Sequence, residues 1–191
     1  MTRLERADLH RAHLERTDLS GAHLEQADLR GAYMKWARLV GAHLEEARLI
    51  RARLERTDFR SAHLESARLL GAQLERARLI YAHLEQARLH GARLEGAMLL
   101  NADLGQASLR RAHLERAILV GANLEQARLH GAHLEQADLR HANLRKAVLD
   151  GANLPGAVAD NDTSWAAGFD WRAAGVIVEG EDAAANPPQQ R

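Results

Sequence analysis

The residues best suited to chemistry in this chain are histidines and glutamates that recur at a fixed spacing. His23, His43, His63 and His83 stand twenty residues apart, and Glu25, Glu45, Glu65 and Glu85 follow each of them by two. Imidazole and carboxylate are both zinc ligands, so the pairs raise the chemistry of a metal row. Asp103, Asn123 and Asn143 take the histidine position further along, which would confine such a row to the first half. A repeating unit also repeats its outward residues when they have no task, and His beside Glu makes an ordinary solvated stripe. No metal ion and no cofactor is therefore expected. Cysteine is absent, which removes thiolate sites, thiol nucleophiles and disulfides. Serines occur at 20, 61, 66, 108 and 164, none in a nucleophile-elbow context. No catalytic constellation emerges, and a non-enzyme is expected.

What positions these residues is a period of five. Leu stands at every fifth place from Leu4 to Leu154, replaced only by Met34 and Phe59, which makes 31 pentads without insertion or deletion. Two residues before each of these stands Ala, from Ala7 to Ala157, replaced only by Thr17 and Thr57. Ala, Leu, Glu and Arg are strong helix formers, but the period excludes a helix. At ~100° per residue a step of five leaves each Leu ~140° from the last, so no buried stripe forms. The 3.5-residue period of a coiled coil is absent too. Within a pentad, Ala-x-Leu alternates inward and outward as a strand does, and the next two residues must turn the chain. Short extended sides joined by corners make a coil, and stacked coils bury an Ala/Leu column. The glycines, at the corners, relieve tight backbone geometry there.

The pattern A-(D/N/x)-L-x-x, as in Ala7-Asp8-Leu9, Ala27-Asp28-Leu29, Ala102-Asp103-Leu104 and Ala122-Asn123-Leu124, resembles the pentapeptide-repeat family over roughly residues 2–157. The resemblance implies an all-β fold, a right-handed quadrilateral β-helix with four pentads per coil. The twenty-residue histidine spacing agrees with that coil. About eight coils at ~4.8 Å make a rod of roughly 37 Å. Where the family commonly has Asp or Asn before Leu, this chain often has His or Arg. The run Thr163-Ser-Trp165-Ala-Ala-Gly-Phe169-Asp170 is similar to the segment after the repeats in many actinobacterial members.

Folding twenty residues onto four sides sorts the outward residues. The first face, centred on Leu24 and Leu44, carries the His and Glu rows. The second, through Leu9 and Leu29, is basic: Arg30, Arg48, Arg51, Arg68, Arg88, Arg110, Arg111 and Arg128 against Asp8, Asp28 and Asp150. An Arg row could follow a phosphate backbone, but no aromatic residues interleave to stack bases, and nucleic acid is not the expected partner. The third face, through Leu14 and Leu54, mixes Arg and Glu and bears Tyr33 and Trp36. The fourth, through Phe59, Leu79, Leu99 and Leu119, carries Val40, Ile80, Tyr81, Met98, Leu100, Ile118 and Val120 outward. Core demand does not explain them, because Ala and Leu already fill the inward positions. A contiguous exposed apolar patch marks an interface, and a protein partner or a homodimer is expected there, the alternative cover being the chain's own tail folded back.

Three segments follow: the solenoid 1–157, a capping segment 158–181 and a disordered tail 182–191. Trp165, Phe169 and Trp171 are expected to cover the last coil, since an open solenoid end exposes core and strand edge. The first coil lacks such a cover, which predicts either stacking on another molecule or an upstream segment. Acidic and basic residues balance at 26 each. Six acids and two basic residues after position 157 leave the repeats at about +4. Arg far outnumbers Lys, a bias that suggests a GC-rich bacterial source. No apolar run approaches the ~20 residues of a membrane span. The start, MTRLERADLH, lacks the apolar core of a signal peptide, so a cytoplasmic location is expected. A rod without loops offers no concave site for a small substrate. Some members of the resembled family bind type II topoisomerases, imitating duplex DNA and protecting against quinolones; that function requires an acidic rod, which the +4 and the Arg face oppose. The leading reading is a structural or interaction module.

Overall fold

The computed structural model describes residues 2–180, and no helix occurs among them. The tail expected to be disordered, 182–191, lies outside the described residues. The chain winds as a β-solenoid. From Arg3 to Asp138 each residue before the central Leu position bridges in parallel to the residue twenty places on: Arg3 to His23, Asp8 to Asp28, His13 to Tyr33 and Asp18 to Arg38, and so on along the rod. A step of twenty in a five-residue repeat means four pentads per turn. The backbone polar groups are satisfied between coils. Leu24 N–H donates to His43 O at 2.7 Å, Gln26 N–H to Glu45 O at 2.9 Å, and His43 N–H to Ala22 O at 2.9 Å. Ala27 N–H closes the corner on Leu24 O at 3.0 Å. These bonds recur pentad after pentad, which is how short sides with no long strand meet the demand that buried backbone groups be paired.

The second corner residue always lies in the left-handed region, from Arg6 at φ 57 to Gly156 at φ 71. Ten of these corners are glycine and 21 are not, so Arg, Gln, Ser and Tyr tolerate a conformation that favours glycine. The corner position is imposed by the coil rather than chosen residue by residue.

Ala and Leu fill the interior. From Leu19 to Leu144 nearly every one is buried, whereas Leu4, Leu9 and Leu14 in the first coil are only partly so. The two replacements of Leu, Met34 and the larger Phe59, are fully buried. Thr57, which takes an Ala position beside them, is buried as well and donates its Oγ1 to Met34 O at 2.8 Å. That bond removes the cost of an unpaired buried hydroxyl.

The repeat ends before the stacking does. Strand β1 (Val158–Asp160) pairs in parallel with β2 (Ile177–Glu179), Val158 opposite Ile177. Asn143 bridges Ser164, one residue beyond the twenty-residue step. Between Ser164 and β2 the chain leaves the pentad pattern. There Trp171 and Val176 are buried, and Trp165 and Phe169 pack against the core, as does Val178 of β2. The rings of Trp165 and Phe169 stack at 5.5 Å.

Candidate interaction face

The coil stacks equivalent residues of successive coils on one another, so each face carries columns of side chains with open grooves between them. On the first face the rings of His23, His43, His63 and His83 stack at 4.8 Å, within 6° of parallel. Each of the first three engages the Glu of its own coil, Nδ1 to Oε1, at 2.8 Å for His23–Glu25, 3.2 Å for His43–Glu45 and 3.1 Å for His63–Glu65. Burial raises the Glu25 carboxyl, but His23 and the Glu25 backbone hold it below its ordinary value. Asn123 and Asn143 continue the column as an amide ladder, Asn123 donating to Asp103 at 3.0 Å and Asn143 to Asn123 at 3.2 Å. Triads such as Glu25, His43 and Glu45 bring donor atoms within 4.8 Å of one another. The second oxygen of these glutamates is buried without a hydrogen-bond partner. The ladder therefore has ligand chemistry and, at its first three histidines, His–Glu bonds at the same time, while His83 stands 3.7 Å from Glu85.

The second face places Arg48, Arg68 and Arg88 in one bridged column. They line a groove of about 670 Å³ with Gln26, Glu46, Ser66 and Gln86. Asp28, held below the usual carboxylate range by Arg30, also lies 3.4 Å from Arg48. Beside that column Ile50 and Leu70 line a second groove with Arg30, Arg51 and His90. These two apolar residues were not among the expected interface residues, although they occupy the same place after the central Leu as Ile80 and Leu100. On the third face Arg53 and Arg56 lie over the rings of Tyr33 and Trp36 at 4.9 and 4.6 Å, which accounts for two aromatics on a charged surface.

The fourth face brings most of the expected interface residues together. Met98 and Ile118 are bridged neighbours in the column before the central Leu. Ile80, Leu100 and Val120 form the column after it, linked by Tyr81 N–H to Leu100 O at 3.0 Å and Asn101 N–H to Val120 O at 2.9 Å. Ile118 is 38% exposed and Tyr81, at the corner, 56%. The other four are half-buried. Val40 belongs to the column but not to the patch, because Arg60 stands between it and Ile80.

Charged clamps bound the patch at both ends. Arg60 donates from Nε to Asp58 Oδ1 at 2.9 Å and from Nη2 to Oδ2 at 2.8 Å. Burial pushes the Asp58 carboxyl up, but Arg60 overcomes it and holds the group below its ordinary value. At the other end Arg140 grips Asp138 at 2.9 and 2.6 Å and reaches Glu179 of β2 at 3.0 Å. Asp138 and Glu179 raise the Arg140 guanidinium further above its already high range.

Comparison with known proteins agrees with this geometry. The chain matches the family model described as pentapeptide repeats in eight copies, in overlapping stretches from residue 7 to residue 158. No curated protein matches it. Among solved structures, HetL of the cyanobacterium Nostoc sp. strain PCC 7120, a pentapeptide-repeat protein involved in heterocyst differentiation regulation, is 30% identical. That match covers 79% of this chain and 84% of HetL, with a TM-score of 0.48. QnrB1, a plasmid-mediated fluoroquinolone resistance protein, superposes in one trypsin-treated variant form with a TM-score of 0.72, over 94% of this chain and 90% of its own. At 18% identity that likeness speaks for the fold alone. No helix among the described residues is long and apolar enough to cross a membrane. By its repeats, its coil and these matches, the chain belongs to the pentapeptide-repeat family.

Proposed function

We propose that the protein is a non-enzymatic interaction module. In this reading it is a right-handed, four-sided rod of about eight coils, formed by 1–157 and closed by 158–181, acting in the cytoplasm without metal or cofactor. Trp165, Phe169 and Trp171 serve as its cap. The fourth face docks a protein, and the observation that carries this is the contiguous patch of Ile80, Met98, Leu100, Ile118 and Val120. These side chains stand outward over a core already filled by Leu79, Leu99 and Leu119. Apolar surface that the fold has no need of, bounded by charge, is the composition of an interface core with a polar rim. Imitation of duplex DNA would need an acidic rod, and the repeats carry about +4 with an arginine column on one side.

A photoreactive phenylalanine analogue at position 100, with one at position 95 as the control on another face, tests the reading in cells. Adducts to a protein of any kind at position 100 and none at position 95 are expected. Equal labelling at the two positions, or none at 100, would refute it.

A further inference from the structure

The two outward columns of the fourth face differ in character coil by coil. Before the central Leu the order is Asp58, Arg78, Met98, Ile118, Asp138; after it, Arg60, Ile80, Leu100, Val120, Arg140. Two coils are therefore apolar in both columns. The coils of Asp58 and Asp138 are acidic in one column and basic in the other. A surface of that kind is its own complement if the columns are exchanged while the coils stay level.

We propose that the occupant of this face is a second copy of the chain, lying alongside in parallel with its coils in register. The proposal rests on the fourth face being the docking face, and it names the partner. A two-fold axis parallel to the rod, between the two columns, sets Met98 against the partner's Leu100 and Ile118 against the partner's Val120. It also sets Asp58 against the partner's Arg60 and Asp138 against the partner's Arg140. Each clamp becomes a ring of four alternating charges. A two-fold contact of this sort is self-matching, as closed dimers require.

The antiparallel alternatives fit less well. An antiparallel two-fold centred on the coil of Met98 keeps each column on itself and reverses the order, so Asp58 meets the partner's Asp138 and Arg60 meets the partner's Arg140. Like charges so placed select against that arrangement. Moving the centre half a coil pairs Asp138 with the partner's Arg78, but it sets Arg140 on the partner's Ile80 and Asp58 on the partner's Val158, so each clamp loses one member to an apolar side chain. Between the two clamps the parallel form has one unlike contact, Ile80 with the partner's Arg78, whose alkyl stem can cover it, and beyond the second clamp Val158 faces the partner's Asp160. Five part-exposed side chains are too few for the ~800 Å² per partner of a stable interface. The charged coils must join the contact, and the parallel arrangement admits both clamps at once.

Because the chain has no cysteine, single-site labelling reads the arrangement directly. Ser20 sits in the same column at the first-coil end, so a spin label on S20C reports end-to-end geometry. Parallel copies bring the two labels to about 20 Å or less, one face-to-face spacing of ~10 Å plus linkers. Antiparallel copies hold them about 38 Å apart, eight coils at ~4.8 Å. Sedimentation equilibrium of the wild type and of Leu100→Glu/Val120→Glu supplies the second readout, with at least a hundredfold weaker association expected of a variant that keeps its urea midpoint. A long label distance, or a wild type that stays monomeric at roughly 0.2 mM (a concentration at which ~5 kcal/mol of association would still register), overturns the proposal. In that event adducts of position 100 with a different protein would leave the docking reading standing, and their absence would remove both.

Discussion

The left-handed corners make a sharp test of the coil, because nothing but backbone conformation separates the residues that occupy them. Gly91 lies at φ +62, and a Cβ added there meets no atom within 4 Å. Gly91→Ala therefore isolates the conformational cost. A left-handed residue with a Cβ costs about 1–2 kcal/mol, and the stiffer unfolded chain of Ala returns about 0.4–1 kcal/mol, so a net loss of about 1 kcal/mol is expected. Ser66, at φ 57, gives the reverse experiment. Its N–H donates to Glu85 O at 2.9 Å, a bond that glycine keeps. Ser66→Gly should then gain about 0.5–1 kcal/mol, the same conformational relief less the added freedom of unfolded glycine. Urea unfolding followed by circular dichroism reads both. With a slope of about 1–3 kcal/mol/M, 1 kcal/mol moves the midpoint by roughly 0.3–1 M. The midpoints should shift down for Gly91→Ala and up for Ser66→Gly. A neutral or stabilised Gly91→Ala would refute the reasoning, since it would mean that the corner does not hold the left-handed conformation.

Three further outcomes follow from the core, the ladder and the clamps. Leu99 is fully buried, so Leu99→Asp places an unpaired charge in the interior at a cost of several kcal/mol and should abolish the fold, while Glu95→Ala changes the urea midpoint little; equal midpoints would contradict the inside–outside assignment. The His–Glu ladder should show no stoichiometric zinc binding by calorimetry despite its unpaired carboxylate oxygens, and binding that disappears in His43→Ala/His63→Ala would reverse that expectation. Asp28 and Asp58 are held below their ordinary value of 3.8 in the fold, so their contribution to stability is complete above that value and is lost as pH falls through the lower folded pKa; thermal melting should be insensitive to these groups near neutrality and decline in acid below about pH 4, less steeply in Asp28→Asn/Asp58→Asn, and an unchanged acid slope in that variant would contradict it.

The sequence made the inside of this protein legible because the inside is periodic. The Leu and Ala columns mark the interior of the solenoid, and His23, His43, His63 and His83 mark the length of the coil. The patch on the fourth face was legible for the same reason, since outward positions are whatever the inward period leaves. What escaped depends on which outward residues touch. Val40 reads as part of the patch until Arg60, folded onto Asp58, stands between it and Ile80. Ile50 and Leu70 were hidden among arginines by composition. The left-handed corners held by Arg, Gln and Tyr were also out of reach, because those residue types do not favour that conformation and only the ladder of inter-coil bonds imposes it. Past Leu154 the period no longer guides the reading. The return of the chain to pair Val158 with Ile177 depends on the length of the intervening Trp165–Gly175 segment, not on a repeat.

Everything proposed for the fourth face requires its outward apolar patch to be a contact surface and not part of what holds the solenoid together. Light scattering measures this through the mass of the protein, wild type beside Leu100→Glu/Val120→Glu, with circular dichroism on the same samples. The expected result is a wild-type dimer and a variant monomer with an unchanged spectrum and melt. A variant that unfolds would show that the patch belongs to the fold, and a wild type and variant of identical mass would show that the patch does not join two copies.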